Sequence, residues 1–314
     1  MNPTSSASCL ELVGLDGSNP LAFLAALGTL RLLDRGEPWP RLSWHAAHGA
    51  WTAQLWTEAK VEPVELAEAL AARLQKTTNC PALARWDDLS VAPEEYRDFA
   101  LAAAQAASPE DRLWADFAAA FGCEATPDTM GSRTTIQDTA LRTMSGAGHQ
   151  HFLLTMRHVL GMVTAEQVHQ ALFAPWTYED PLEKSTLRWD PEDDVRYALR
   201  WRNPSGDPER KRRGSVLGAN ALAIHGLPLL PTAPIGTRLR TTGFSRLDRH
   251  VTWSWPIWEP QVSLPVVRTL LALAELQVPS PPRADLMRRG IAEIYRSQRI
   301  TTGKYRNFTP AEPA

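Results

Sequence analysis

The chain has 314 residues, 44% of them hydrophobic, which is enough apolar material for a substantial core and excludes an intrinsically disordered polymer. Its formal net charge of −2 conceals a division: residues 1–184 hold 13 basic and 23 acidic side chains (net −10), whereas residues 185–314 hold 20 and 12 (net +8). No apolar run reaches the roughly 18 residues of a membrane helix, the opening MNPTSSAS has no signal-peptide pattern, and Cys9, Cys80 and Cys123 show no paired spacing, so the expectation is a cytoplasmic protein without a membrane partner.

In chain order, Leu10–Val13 reads as a short strand, and Asn19-Pro20 is a capped helix start leading to about Leu33. Phe23, Leu24, Leu27 and Leu30 leave that helix little polar surface, and Gly28 lets a neighbour approach it closely. Arg41–Ala47 and Ala50–Trp56 form a hairpin joined at His48-Gly49. Glu62–Leu74 repeats its apolar residues at spacings of three and four, and Glu94–Ala106 and Pro109–Phe121 are two Ala-rich helices. Gly122–Gly148, rich in Thr, Ser and Gly, reads as a long loop with some local structure around Thr135–Met144, followed by helices at His149–Met162 and Thr164–Phe173.

Beyond Pro175, Leu187–Trp189 and Tyr197–Trp201 read as strands flanking a solvated acidic turn, Asp190–Asp194. Ser215 is placed to cap a helix from Val216 to His225; Thr237–Thr242 and Val251–Trp258 are strands, Leu264–Leu276 a helix and Ile291–Ile300 a late strand. Trp253 and Trp255, two apart, share one side of their strand and read as core, with a docking surface as the alternative. Helices and short antiparallel strands alternate without the regular spacing of a doubly wound sheet, so the expected class is α+β. Two regions follow: 1–184, acidic and mostly helical with a Trp-rich hairpin, and 185–314, basic and α+β.

The densest chemical signal lies in residues 196–249. It holds Arg196, Arg200, Arg202, Arg210, Lys211, Arg212, Arg213, Arg238, Arg240, Arg246 and Arg249 against Asp207, Glu209 and Asp248. Arginine outnumbers lysine ten to one, and its planar fork suits phosphate oxygens and stacks on bases. Arg210–Arg213 run into Ser215 at a helix start, where backbone amides add to the positive field; the bland alternative is a solvated loop. Arg296, Arg299, Lys304 and Arg306 repeat the theme among Tyr295, Tyr305 and Phe308, which stack on bases or belong to the core. Gly146, His149 and Gln150 lie in a glycine-bearing turn able to hold a phosphate or to serve as a plain linker. The histidines lack converging ligands for a metal, there is no phosphate loop and no GxSxG, and neither a cofactor nor a catalytic set is expected.

The opening segment Leu10–Leu33, LELVGLDGSNPLAFLAALGTLRLL, resembles the N-terminal signature of accessory proteins in type I-U (also called I-G) CRISPR loci. Ser145–Phe152, Leu187–Asp194 with Arg196–Trp201, Gly218–Asn220, Thr241–Phe244 and Thr302–Phe308 are similar to the same group, so short motifs span most of the chain. The resemblance implies a CRISPR-associated protein, either large-subunit-like in an RNA-guided surveillance complex or a companion of the helicase-nuclease effector. Its partners would be other CRISPR-associated subunits and guide RNA, target DNA or both, with base pairing reading the sequence and the protein reading the backbone. The expected function is a non-catalytic subunit of a prokaryotic type I interference system that binds nucleic acid through its Arg-rich C-terminal half. Two other readings stand beside it: a metal-independent RNA-processing endonuclease with His149 or His151 as general base, and a protein–protein scaffold.

Overall fold

The computed structural model describes residues 7–34, 36, 39–47, 49–130, 132–144, 151–181, 185–193, 214–302 and 305–314. Asn19 stands in extended backbone, and its side-chain oxygen accepts hydrogen bonds from the amides of Leu21 (2.9 Å) and Ala22 (3.2 Å). With Pro20 in the first turn, helix α1 (Pro20–Leu33) starts where the cap chemistry puts it. Every residue from Pro20 to Leu30 is buried, and a helix apolar on all sides has to be enclosed. It packs on strand β1 (Ser8–Asp16), helix α2 (Pro63–Thr77) and a helix from the far end of the chain, Leu217–Ile224. Gly28 is the point of closest approach to that last helix: a Cβ there would lie 1.8 Å from the carbonyl oxygen of Leu222.

Strands β1, β2 (Arg41–Ala47) and β3 (Ala50–Thr57) form an antiparallel sheet in the order β1-β3-β2. Helix α2 turns Leu66, Ala67, Leu70, Ala71 and Leu74 inward, and it is followed by α3 (Pro81–Ala84), α4 (Pro93–Ala106) and α5 (Leu113–Phe121). A hairpin of β4 (Gly122–Met130) and β5 (Arg133–Asp138) precedes α6 (Phe152–Met162) and α7 (Ala165–Phe173). Thr164 and Gln167 close a capping box on α7. The helix Leu217–Ile224 is α8; a second hairpin, β6 (Thr232–Ile235) with β7 (Arg238–Thr241), leads into the largest sheet.

That sheet runs β11-β10-β9-β8, built from β8 (Phe244–Leu247), β9 (His250–Trp258), β10 (Ile291–Thr302) and β11 (Tyr305–Phe308), with β12 (Glu312–Pro313) also paired to β10. Between β9 and β10 lie α9 (Leu264–Leu271) and α10 (Arg283–Arg288). Phe23 of α1 meets Trp44 (5.8 Å between ring centroids) and Trp255 (5.6 Å), and Trp253 lies 4.6 Å from Trp255. The indole N–H of Trp255 donates to the Gly17 carbonyl (2.8 Å) and that of Trp258 to the Leu42 carbonyl (2.9 Å), so these rings are satisfied core residues. All strand pairings among the described residues are antiparallel, and the fold is α+β, with no doubly wound sheet. Among the described residues no helix is long and apolar enough to cross a membrane.

Several local expectations change. Residues 122–138, read as loop, form the β4–β5 hairpin; its register slips between Cys123 and Pro127, and the alternation of a regular strand is therefore missing from the sequence. Leu187–Trp189 is irregular rather than a strand, with Trp189 buried and its N–H donated to the Leu141 carbonyl (2.9 Å). Asp190 and Asp193 are buried, not solvated: Asp190 accepts from the Asn19 side chain (3.2 Å) and Glu192 N, and Asp193 from Thr186. The helix expected over Leu264–Leu276 breaks after Leu271 and resumes as a short 3-10 turn, Ala274–Gln277. Tyr197–Trp201 lies outside the described residues.

Candidate nucleic-acid interface

Trp253 and Val251 share one face of β9, and opposite them on β10 stand Ser297 and Arg299. Where this face covers α1 it presents tryptophan. Where it runs beyond α1 it presents arginine. The cross-strand row there is Arg246 on β8, Val251 on β9 and Arg299 on β10; Thr301, two residues on, pairs with Arg306 on β11. Arg246, Arg299 and Arg306 therefore lie on one face.

Two hairpins stand against this face and make it the bottom of a cleft of about 830 Å³. The β6–β7 hairpin contributes Arg238 and Arg240, and the β4–β5 hairpin contributes Asp128, Thr135, Gln137 and Asp138. Gln137 locks the two together, its side chain donating to the Thr237 carbonyl (3.3 Å) and accepting from Leu239 N (2.7 Å). Ala140 N also donates to the Thr241 hydroxyl (2.9 Å).

The bottom is ordered by a charge network around Arg142. This side chain is buried, and burial opposes its charge, but Asp138 and Asp88 outweigh burial and raise its pKa. Its guanidinium donates to Asp138, to the Met144 carbonyl (2.8 Å) and to the Ser90 hydroxyl (3.1 Å), and it lies 2.8 Å from Asp88. The other oxygen of Asp138 is 3.6 Å from Arg306. Arg238, Arg240 and Arg246 are exposed at the rim, and among the described residues no carboxylate pairs with any of them. Six arginines thus face two aspartates, Asp128 and Asp138, across one concave surface. Such a cleft concentrates positive potential and attracts phosphate.

A scan of the chain against protein-family models finds no match, and a comparison with curated protein sequences finds none either.

Of the arginines singled out from the sequence, Arg238, Arg240, Arg246, Arg299 and Arg306 border the cleft. Arg249 is exposed at the β8–β9 turn, away from it. Arg296 projects from the opposite face of β10, where its guanidinium donates to the Ser254 hydroxyl and to the carbonyls of Leu276, Val278 and Pro279 (2.7–3.2 Å). Ser215 is buried apart from the cleft; it does not cap α8, whose N-cap is Val216, and its hydroxyl donates to the carbonyls of Pro181 (3.3 Å) and Ser185 (3.1 Å). Gly146, His149, Gln150, Arg196, Arg200, Arg202, Arg210, Lys211, Arg212, Arg213 and Lys304 lie outside the described residues. His151 stands at the head of α6 and does not line the cleft. Sequence reasoning missed Arg142. It left no local signal: Asp138 ends β5 and Arg142 follows in the turn beyond it, so their four-residue spacing is not that of a helix face, and the second partner, Asp88, is distant in sequence.

Proposed function

We propose that this chain binds the phosphate backbone of nucleic acid in the Arg-lined cleft, as a non-catalytic subunit of a prokaryotic type I CRISPR interference system. The observation that carries the binding reading is the convergence of Arg238, Arg240, Arg246, Arg299 and Arg306, from four different strands, on one cleft whose rim guanidiniums have no described carboxylate partner. Rim arginines free to exchange counter-ions for phosphate supply affinity without reading sequence. Membership of a CRISPR locus rests on the motif resemblance of Leu10–Leu33 and the segments after it. In such a complex other subunits and guide RNA or target DNA are the partners, and a protein reading only backbone suits sequence recognition by base pairing.

The test is a triple variant, Arg238→Glu, Arg240→Glu and Arg246→Glu, titrated with labelled RNA and DNA strands at several salt concentrations. Binding should weaken strongly, and the slope of log affinity against log salt should fall by roughly one per lost phosphate contact, about three in all. Arg249→Glu, exposed but outside the cleft, is the matched control and should change affinity little. Equal affinity of triple variant and wild type overturns the binding reading. Affinity purification of a tagged copy from its native host tests the other half: co-purifying guide RNA supports the locus assignment, and its absence overturns it.

A further inference from the structure

Resting on the reading of the cleft as a phosphate-binding surface, we infer that Arg299 and Arg306 on its floor, with Arg246 at the adjoining rim, form a discrete subsite for one phosphate dianion, which takes the terminal phosphate of a nucleic-acid strand. The register sets this geometry. Arg246 and Arg299 occupy the same cross-strand row two strands apart, about 10 Å at the backbone. Arg306 is the diagonal neighbour of Arg299 through the Thr301–Arg306 pair. Three guanidinium forks on one face at these separations reach a single group between them.

The charge balance sets the ligand. Asp88 and Asp138 pair with Arg142 and Arg306, while Arg246 and Arg299 pair with no carboxylate among the described residues, so these four arginines and two aspartates leave two positive charges in surplus. Both carboxylates are already engaged by Arg142, and only one oxygen of Asp138 extends to Arg306. Arg299 receives no carboxylate among the described residues. Its Nη2 donates to the Arg142 carbonyl (3.0 Å) and its Nε is buried with no partner. Burial, with Arg306 and Arg142 adding repulsion that the attraction of Asp138 only partly offsets, pushes its pKa down to about 10. A half-buried cation held beside two others is unfavourable in the free protein and is relieved by an anion. An internal phosphodiester brings one negative charge, whereas a terminal phosphate brings about −1.5 to −2 near pH 7 and so matches the surplus. Each of its oxygens can accept from a guanidinium fork.

Two measurements on the intact chain test this. In the first, the melting temperature is compared in sodium phosphate and in sodium chloride of equal ionic strength. A phosphate-specific rise is expected, lost in Arg299→Met and in Arg306→Met, with the Arg299→Met protein melting in chloride no lower than wild type. Arg299→Lys, which keeps the charge but not the fork, should keep only part of the rise. No phosphate-specific rise in wild type overturns the subsite. In the second, one labelled strand is prepared with a 5′-phosphate, with a 3′-phosphate, or with hydroxyls at both ends. One phosphorylated form should bind about tenfold tighter than the hydroxyl form, and Arg299→Met should abolish that gain while hydroxyl-ended binding persists. Equal affinity for all three strands overturns the terminal-phosphate assignment. Absence of binding by every strand, with the phosphate-specific melting shift intact, overturns the nucleic-acid reading and the terminal assignment together and leaves an anion subsite for a small phosphate ligand.

Discussion

Asp138 and Asp285 each pair with an arginine, and their surroundings make the two pairs unequal. The Asp138 and Arg142 side chains are 15% and 5% exposed, whereas Asp285 and Arg288 are 53% and 75% exposed. Asp138→Asn leaves the buried Arg142 to Asp88 alone and removes the carboxylate beside Arg306, so it should cost about 3 kcal/mol in denaturant unfolding. Asp285→Asn should change stability by less than about 0.5 kcal/mol. Equal losses in the two variants would show that the Arg142 network does not hold the cleft floor. His225 presents a different case. It is buried against Phe117, with Thr77 at one ring nitrogen (2.9 Å) and Arg31 at the other (3.2 Å), the latter paired with Asp116. Burial, and then Arg31, hold its pKa well below the usual 6.5, so the native ring stays neutral while the unfolded ring takes up a proton. Stability from this group is therefore complete above pH about 6.5 and falls by roughly 1.4 kcal/mol per pH unit below it, until the depressed native pKa is reached. Unfolding free energies of wild type and His225→Gln between pH 7 and pH 5 measure this; the variant should show the shallower decline.

Glycines show how much an element depends on what lies next to it. Gly28→Ala directs a methyl group at the Leu222 carbonyl and must part α1 from α8, a loss of about 3 kcal/mol or more. Gly161→Ala, in α6, meets only the Thr78 methyl at 4.0 Å and should gain about 0.5 kcal/mol from helix propensity. Thermal melts of the two variants should move in opposite directions. The same contrast governs which elements can be read from sequence. Helix α1 is legible because Asn19, Pro20 and an uninterrupted apolar run state its start and its burial locally, and the β2–β3 hairpin because Trp44, Trp51 and the turn glycine do likewise. The β4–β5 hairpin is not, because its reasons are tertiary: Ile136 N donates to the Val91 carbonyl, Thr139 N to the Phe121 carbonyl, and Gln137 grips the β6–β7 hairpin. Ser215 is not the cap for a related reason, since the Asp180 carboxylate, distant in sequence, accepts from the Leu217 amide at the start of α8 (2.7 Å).

At the scale of the whole molecule, charge along the chain and charge in space are different quantities. Composition alone singled out Arg296 and Arg299 equally, yet they lie three apart on a strand and so on opposite faces, one held by carbonyls and one on the cleft floor. The acidic residues 1–184 supply Asp88, Asp138 and Arg142 to the cleft, and the basic residues 185–314 supply its other arginines. The two stretches also share one apolar core, which extends from Leu12 to Phe308 and joins α1 to α8. Neither stretch can then bury its own hydrophobic surface. Chains corresponding to residues 1–184 and 185–314, made separately, should each lack a cooperative thermal transition, and mixing them should restore one, as followed by near-ultraviolet circular dichroism. The basic fragment keeps its net charge of +8 and should still attract nucleic acid at low salt, but without Asp138 and Arg142 to order Arg299 and Arg306 it should not distinguish phosphate from chloride. A folded basic fragment that retains that distinction would locate the subsite in its strands alone and assign the β4–β5 hairpin no part in it.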